Sequence, residues 1–319
     1  MSVASSYSVS DRYATLTRQF SETLAEWAPS WTRFAKLYTD QTPSLRFYAD
    51  QPPAILNTWG GADTDTIATP SVGATHTQTV TLEGKAGGVH IRAVDLALQP
   101  NLIEECVSRL YTSVTKTVES VVYSALENVF SSAVDDGNGS TTPICSAGHK
   151  FKPIGYTSGA LSSQSNLLTS AFSGASLSSA LQLMQNYKSF LGIPAGYGMG
   201  ECVLIVSPQN GDLADQMAKS SQSITTFPDA ANIQTATGAA MNPRQGMLDV
   251  VKSSLLTADP DDWYLIDKAN TPVFVWMPFA PSLVVYEDYA NHTIKATVSC
   301  FMKAGVQTPP GAIVGSNVA

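Results

Sequence analysis

The chain has 319 residues, enough for one large or two modest domains with a substantial buried core. Hydrophobic residues make up 44% of it and charged residues only 14%, which excludes a disordered chain and leaves a surface built largely of small and hydroxyl side chains. A net charge of −8 excludes the basic footprint of a direct nucleic-acid binder, though not a container that encloses nucleic acid without gripping it.

A charge-poor surface points to an interface, because charged side chains are depleted at interface cores. A secreted Ser/Thr-rich protein is the alternative reading. The start MSVASSYSVSDRY has no basic segment followed by an apolar one, so no signal peptide is expected. No run of about 18 apolar residues implies a membrane span. Cys106, Cys145, Cys202 and Cys300 are scattered without CxxC pairing, which predicts reduced, buried thiols.

In chain order, residues 1–10 are Ser-rich. From Asp11, Tyr13, Leu16, Phe20, Leu24 and Trp27 recur at helical spacing, and Pro29 stops the helix. The short stretch WTRFAKLY follows. Five basic residues (Arg12, Arg18, Arg33, Lys36, Arg46) balance five acidic ones (Asp11, Glu22, Glu26, Asp40, Asp50) in the first 50 residues. That neutral, amphipathic arm is suited to lie on protein rather than on DNA or acidic lipid. Residues 51–99 read as a long hairpin with its tip within residues 60–75. HTQTVTL alternates as a strand, GKAGG (84–88) bends it, and VHIRAVDLAL resumes it. Such a hairpin has little core of its own and must rest on something else.

Asn101 and Glu104 form a capping-box pattern before a helix predicted over 102–134. Leu102, Cys106, Leu110, Val114, Val118, Val122, Leu126 and Phe130 recur at every fourth residue, giving roughly 50 Å of helix at 1.5 Å per residue. After a Gly/Ser/Thr-rich loop comes an α/β stretch. SLSSALQLMQNYKSFLG is a helix capped by Ser176 with Gly192 past its end, and CVLIV is a buried strand. SPQNGDLADQMAKS is a helix opened by Ser207. Residues 221–246 read as a long loop. MLDVV, WYLID, PVFVWMPF, SLVVYED and HTIKATVSCFM read as strands, and TPPGAIVGSN closes the chain.

The acidic stretch DPDDWYLID invites a metal-site reading. A calcium loop needs regularly spaced acids with a Gly and a late Glu, which are absent. The stretch reads instead as a turn leading into a strand, with Tyr264 and Ile266 on one face and Trp263, Leu265 and Asp267 on the other. GIPAGYGMGE precedes a strand rather than opening a helix, so it is not a phosphate cradle. His76, His90, His149 and His292 lack zinc-ligand spacing, and no GxSxG occurs. No catalytic residue, metal or cofactor is expected.

The order of parts — amphipathic arm, long hairpin, long helix, α/β insertion, closing strands — resembles the tailed-phage major capsid proteins of the HK97-like fold. TVTLEGKAGGVHIRAVDLALQPNLIEE is similar to that family's passage from E-loop into spine helix. ECVLIVSPQNGDLADQM is similar to its A-domain strand and helix, and the stretch from WYLID to GAIVGS to its return into the P-domain sheet. The resemblance implies an α+β fold with an N-terminal arm (1–50), an extended E-loop hairpin (51–99), a P-domain spine helix (100–135), an A-domain (136–280) and return strands of the P-domain (281–319).

It further implies a major head protein, not an enzyme. Hexamers and pentamers of it would build an icosahedral shell around double-stranded DNA bound without sequence specificity. With only about 50 residues before the hairpin, a separate scaffolding protein is expected, along with a portal and a cement protein. The place is the virion, and the host cytoplasm during assembly. Inter-subunit contacts are expected from Leu16, Phe20, Leu24 and Trp27 on the arm, and from Lys85, His90 and Arg92 on the E-loop. An encapsulin-type compartment shares the fold and would recognise cargo instead of a genome. A Ser/Thr-rich adhesin or binding protein should carry a signal peptide and repeated short strands.

Overall fold

The structure, a computed structural model, describes residues 9–42, 44–48, 77–99, 101–135, 141–151, 160–189, 192–220, 245–256, 259–288, 290–307 and 309–318. Helix α1 (Val9–Ala25) is followed by a 3-10 turn at Ser30–Arg33 and by β1 (Lys36–Tyr38) and β2 (Ser44–Tyr48). The expected hairpin therefore begins earlier than residue 51. β2 pairs antiparallel with β3 (Thr77–Thr81), from Ser44↔Thr81 to Tyr48↔Thr77. The expected tip at 60–75 lies outside the described residues.

After Leu82 the chain continues as β4 (Glu83–Arg92), through the GKAGG stretch. The strand ends earlier than its sequence implies, because Ala93–Leu98 forms a short helix, α2. Arg92 fastens that corner through its guanidinium to the Asp95 carboxylate, at 2.8 and 3.0 Å.

The long helix α3 (Leu102–Glu127) is 26 residues, roughly 40 Å at 1.5 Å per residue. It is shorter than the 102–134 expected. At Asn128–Phe130 the backbone tightens into a 3-10 turn, then turns into β5 (Ala133–Asp135). Val129 stays fully buried in that turn, so the apolar recurrence outlasts the helix. Asn101 occupies the N-cap position without a side-chain hydrogen bond, which corrects the expected capping box.

Three short strands follow: β6 (Thr141–Pro143), β7 (His149–Phe151) and β8 (Ser162–Gln164). Then come β9 (Leu167–Leu168), α4 (Gly174–Gln185), β10 (Cys202–Val206), a 3-10 turn at Pro208–Asn210 and α5 (Gly211–Lys219). The capping box of α4 is built by Ser173, with Ser176 as its N3 partner, so the cap lies three residues before the Ser176 expected. β11 (Leu248–Lys252) and β12 (Trp263–Asp267) precede the two longest strands, β13 (Val273–Asp288) and β14 (Thr293–Val306), and then β15 (Ile313–Ser316).

PVFVWMPF and SLVVYED are thus one strand rather than two. Register shifts at 276–279 and 279–282 absorb Pro278 and Pro281, which cannot donate to the ladder. The boundary expected at 280/281 falls inside this strand.

Two sheets dominate. One is four-stranded, β1-β13-β14-β4, and the other five-stranded, β11-β10-β12-β15-β9. The last strand of the chain joins the five-stranded sheet, pairing with β12 from Trp263↔Ser316 to Ile266↔Ile313. Helix α3 supports both sheets. Its N-terminal half packs Ile103, Val107 and Leu110 against Ile294, Ala296 and Val298 of the four-stranded sheet. Farther along, Val118, Val122 and Leu126 share a core with Val203, Ile205, Tyr264 and Ile266 of the five-stranded sheet.

Asn166 ties these parts together. It is fully buried; its Nδ2 donates to the carbonyls of Ile144, Pro310 and Ile313 at 2.7–3.0 Å, and its Oδ1 accepts from Ser146 N.

Candidate assembly surfaces

Among the described residues, the four-stranded sheet is covered along the whole of one face and, on the other, only at the start of β13. Side chains alternate along a strand, and in β14 Ile294, Ala296, Val298, Cys300 and Met302 all point into the subunit core. The other face presents Thr293, Lys295, Thr297, Ser299 and Phe301. Across the ladder, Phe279 pairs with Phe301, Val284 with Thr297, and Tyr286 and His90 with Lys295. Phe279, Val284, Tyr286 and Phe301 are 53%, 53%, 44% and 48% exposed. Large apolar side chains on the solvent side of a strand are the informative exception to burial, and here they cluster on one surface.

The open face begins abruptly. At the start of β13, Phe274 and Trp276 are buried under the hairpin base, where Val80, Leu45 and Leu82 pack with Tyr38. Gly305 permits that packing, since a Cβ there would lie 2.9 Å from Phe274 Cζ. The Trp276 indole N–H donates to Asp40 O at 2.9 Å. The hairpin base is therefore anchored on its own subunit, and the open face starts where that cover stops.

Charge on this sheet gathers in ion pairs at its two ends. Lys303 and Lys85 (3.2 Å) both contact the Glu83 carboxylate, whose pKa they pull below the usual carboxylate range, Lys303 most strongly. Lys295 lies 2.6 Å from Asp288 and, helped by Asn291, lowers its pKa to about 2. The centre of the face carries only hydroxyl, small and apolar groups.

The arm differs from its sequence expectation. Leu16 and Phe20 are 3% and 2% exposed, within the cluster that holds Ile103, Val107 and Leu110 of the same chain. They have no surface left for a neighbour, because α3 and the sheet already offer them an apolar seat. Leu24 and Trp27 are half-buried, and Trp27 packs edge-on against Trp31 at 6.5 Å. Arg33 forks onto the carboxylate of Asp249 in β11, fixing the end of the arm to the five-stranded sheet. Of the other candidates, Lys85 is half-exposed, His90 lies on the open face, and Arg92 is exposed beside Asp95.

The phenylalanines of the open face escaped the sequence reading. The signal was present: SLVVYED and ATVSCFM carry apolar residues in both phases of a strand, more than one covered face requires.

The acidic stretch forms the turn that its sequence implies. Asp261 N–H donates to Asp259 Oδ1, and Asp262 accepts from Val318 N–H at 3.0 Å. Asp267 accepts from Gly198 and Ala269 N–H, which accounts for its burial. All four cysteines are free thiols, and burial pushes Cys202 up to about 12. Among the described residues no group of three or more His, Cys, Asp or Glu side chains converges as a metal would need. No described helix is long and apolar enough to cross a membrane.

A family model described as phage capsid protein matches residues 74–314. No curated protein matches the chain. Among solved structures, the capsid of a native GTA particle aligns over the whole of both chains, with a TM-score of 0.56 at 11% identity. The mature capsid of bacteriophage PhiM1 aligns over 92% of this chain and 88% of its own, with a TM-score of 0.55 at 11% identity. A virus-like particle from Pyrococcus furiosus aligns over 96% of this chain and all of its own, with a TM-score of 0.50 at 10% identity. At such identities the likeness is one of fold.

Proposed function

Because the chain belongs to the phage capsid protein family, we propose that it is a major head protein whose hexamers and pentamers close an icosahedral shell around double-stranded DNA. The observation that carries this reading is the open sheet face of Phe279, Val284, Tyr286 and Phe301 beside an anchored hairpin base. A hairpin projecting from one subunit lies across this face of the next. His90 and Arg92 contribute from β4 to that contact, whereas Lys85 stands on the opposite face of the strand. Each contact is modest, and repetition around a capsomer makes the shell stable.

The role is structural rather than enzymatic. The acidic chain holds DNA without sequence-specific contacts. A separate scaffolding protein, a portal and a cement protein complete the particle, which is assembled in the host cytoplasm. A second reading, a cellular compartment, draws on the likeness to the archaeal virus-like particle.

Electron microscopy of the expressed chain, with native mass measurement, tests the proposal. Shells or rings of five and six are expected, and a dispersed monomer at high concentration would overturn it. Nuclease-protected DNA in particles from an infected host separates a head from a compartment loaded with protein cargo.

A further inference from the structure

The inner face of β4 carries Lys85, Gly87, Val89 and Ile91, opposite Cys300, Val298, Ala296 and Ile294 of β14. Val89 and Ile91 cover the N-terminal half of α3. At Gly87 that cover stops. A cavity of about 330 Å³ opens there between α3 and the sheet, walled by Gly87, Lys85, Leu110, Val114, Val118 and Met302.

Glycine inside a strand gives up packing and weakens the ladder, so it needs a reason. Gly88 has one, because a Cβ there would meet Ala296 O at 3.0 Å. Gly84 has one in the Phe301 ring, 3.3 Å from its virtual Cβ. Gly87 has none among the described residues. Its backbone is ordinary strand, and a Cβ added there meets no atom within 4 Å. A valine would fit and would cover Val114 and Met302. The subunit forgoes that packing and leaves a notch.

The notch lies on an edge strand, since β4 ends the order β1-β13-β14-β4 and no described strand pairs with its outer side. A strand added to such an edge gains main-chain hydrogen bonds, and alternate side chains drop into pockets beside it.

We infer that the Gly87 notch receives an apolar side chain from a second copy of this chain, laid along the free edge of β4. This rests on the shell-forming reading above. The second copy is favoured by continuity. Gly84, Ala86 and Gly88 of the same strand face the open sheet surface where a neighbouring subunit lies, so a segment crossing that surface runs off the sheet over this edge.

Two variants test the inference in shells of the full chain. Gly87→Val fills the notch from the subunit's own side. Its isolated subunit melts at or above the wild-type temperature, while shell yield falls at least tenfold. Ser113→Cys, exposed on α3 beside the notch, is labelled by a thiol reagent and read peptide by peptide, separately from Cys106. Labelling is at least tenfold slower in shells than in free subunits.

The inference is overturned if Gly87→Val assembles at wild-type yield, or if it loses its cooperative melt. Equal labelling at position 113 in shells and free subunits overturns it too. Protection that appears only when a different protein co-purifies assigns the notch to that protein instead. A wild-type chain that forms no shells removes the reading beneath it, a failure distinct from all of these.

Discussion

The two large sheets use apolar residues in opposite ways. In the five-stranded sheet, every residue of β10 (CVLIV) and β12 (WYLID) is buried. One face packs Val203, Ile205, Tyr264 and Ile266 against α3, and the other packs Leu204, Val206, Trp263 and Leu265 against Leu177 and Met184 of α4 and Met217 of α5. Such continuous apolar strands are covered on both faces by their own chain. The four-stranded sheet also carries apolar residues on both faces, yet the described residues cover one face and only the start of the other. Phe279, Val284, Tyr286 and Phe301 are the residues left exposed.

The comparison can be broken or sharpened by substitution. The largest effect falls where both sheets share a support. Val118→Pro removes a hydrogen bond inside α3 and clashes with the preceding turn, costing about 3 kcal/mol or more at a position that is 1% exposed. Soluble yield and far-UV circular dichroism should both collapse. A folded Val118→Pro subunit would mean that the sheets stand without the helix.

Next comes the doubly covered sheet. Leu265→Ala should lower the unfolding free energy by roughly 2–5 kcal/mol, read by denaturant titration. A loss below about 0.5 kcal/mol, ordinary for surface positions, would remove the distinction between the sheets.

On the open face the balance reverses. Val284→Thr combined with Phe301→Ser should change subunit stability by about 0.5 kcal/mol or less. Shell yield, measured by sedimentation, should fall severalfold. Normal assembly with lowered stability would place these side chains in the subunit's own core.

The smallest effect is electrostatic and sits at the end of the open face. The Asp288 carboxyl titrates at about 2 instead of 3.8, because Lys295 and Asn291 favour its charged form. A depressed folded pKa contributes stability above pH 4, and this is lost as the pH falls through about 2. The pair is exposed, so screening keeps the contribution small. Melting temperature between pH 5 and pH 2 should fall less steeply in Asp288→Asn than in the wild type, and superimposable curves would refute the coupling.

Much of this architecture was legible in the sequence. Burial on one or both faces leaves a periodicity, so the strands CVLIV and WYLID and the stripe from Leu102 to Leu126 could be placed from residue type alone. What stayed hidden depends on partners distant in the chain. Nothing local tells Leu16 and Phe20 whether their apolar seat belongs to α3 of the same subunit or to a neighbour. Helix ends were misplaced where side chains kept facing the core after the backbone had changed, as at Val129, or where two serines competed for one cap, as at Ser173 and Ser176. The open face was hidden because exposure belongs to the assembled sheet rather than to any one strand.

The position of β15 sets a clock on synthesis. It lies between β12 and β9, and Asn166 reaches across from the middle of the chain to hold its approach. β4, near residue 90, likewise waits about 200 residues for its partner β14. The four-stranded sheet cannot close until β14 has emerged as far as Val306, nor the five-stranded sheet until β15 has emerged as far as Ser316, and such long-range pairing is slow. Until Val306 has emerged, the face of Phe279, Val284, Tyr286 and Phe301 lacks the β13–β14 ladder that forms it.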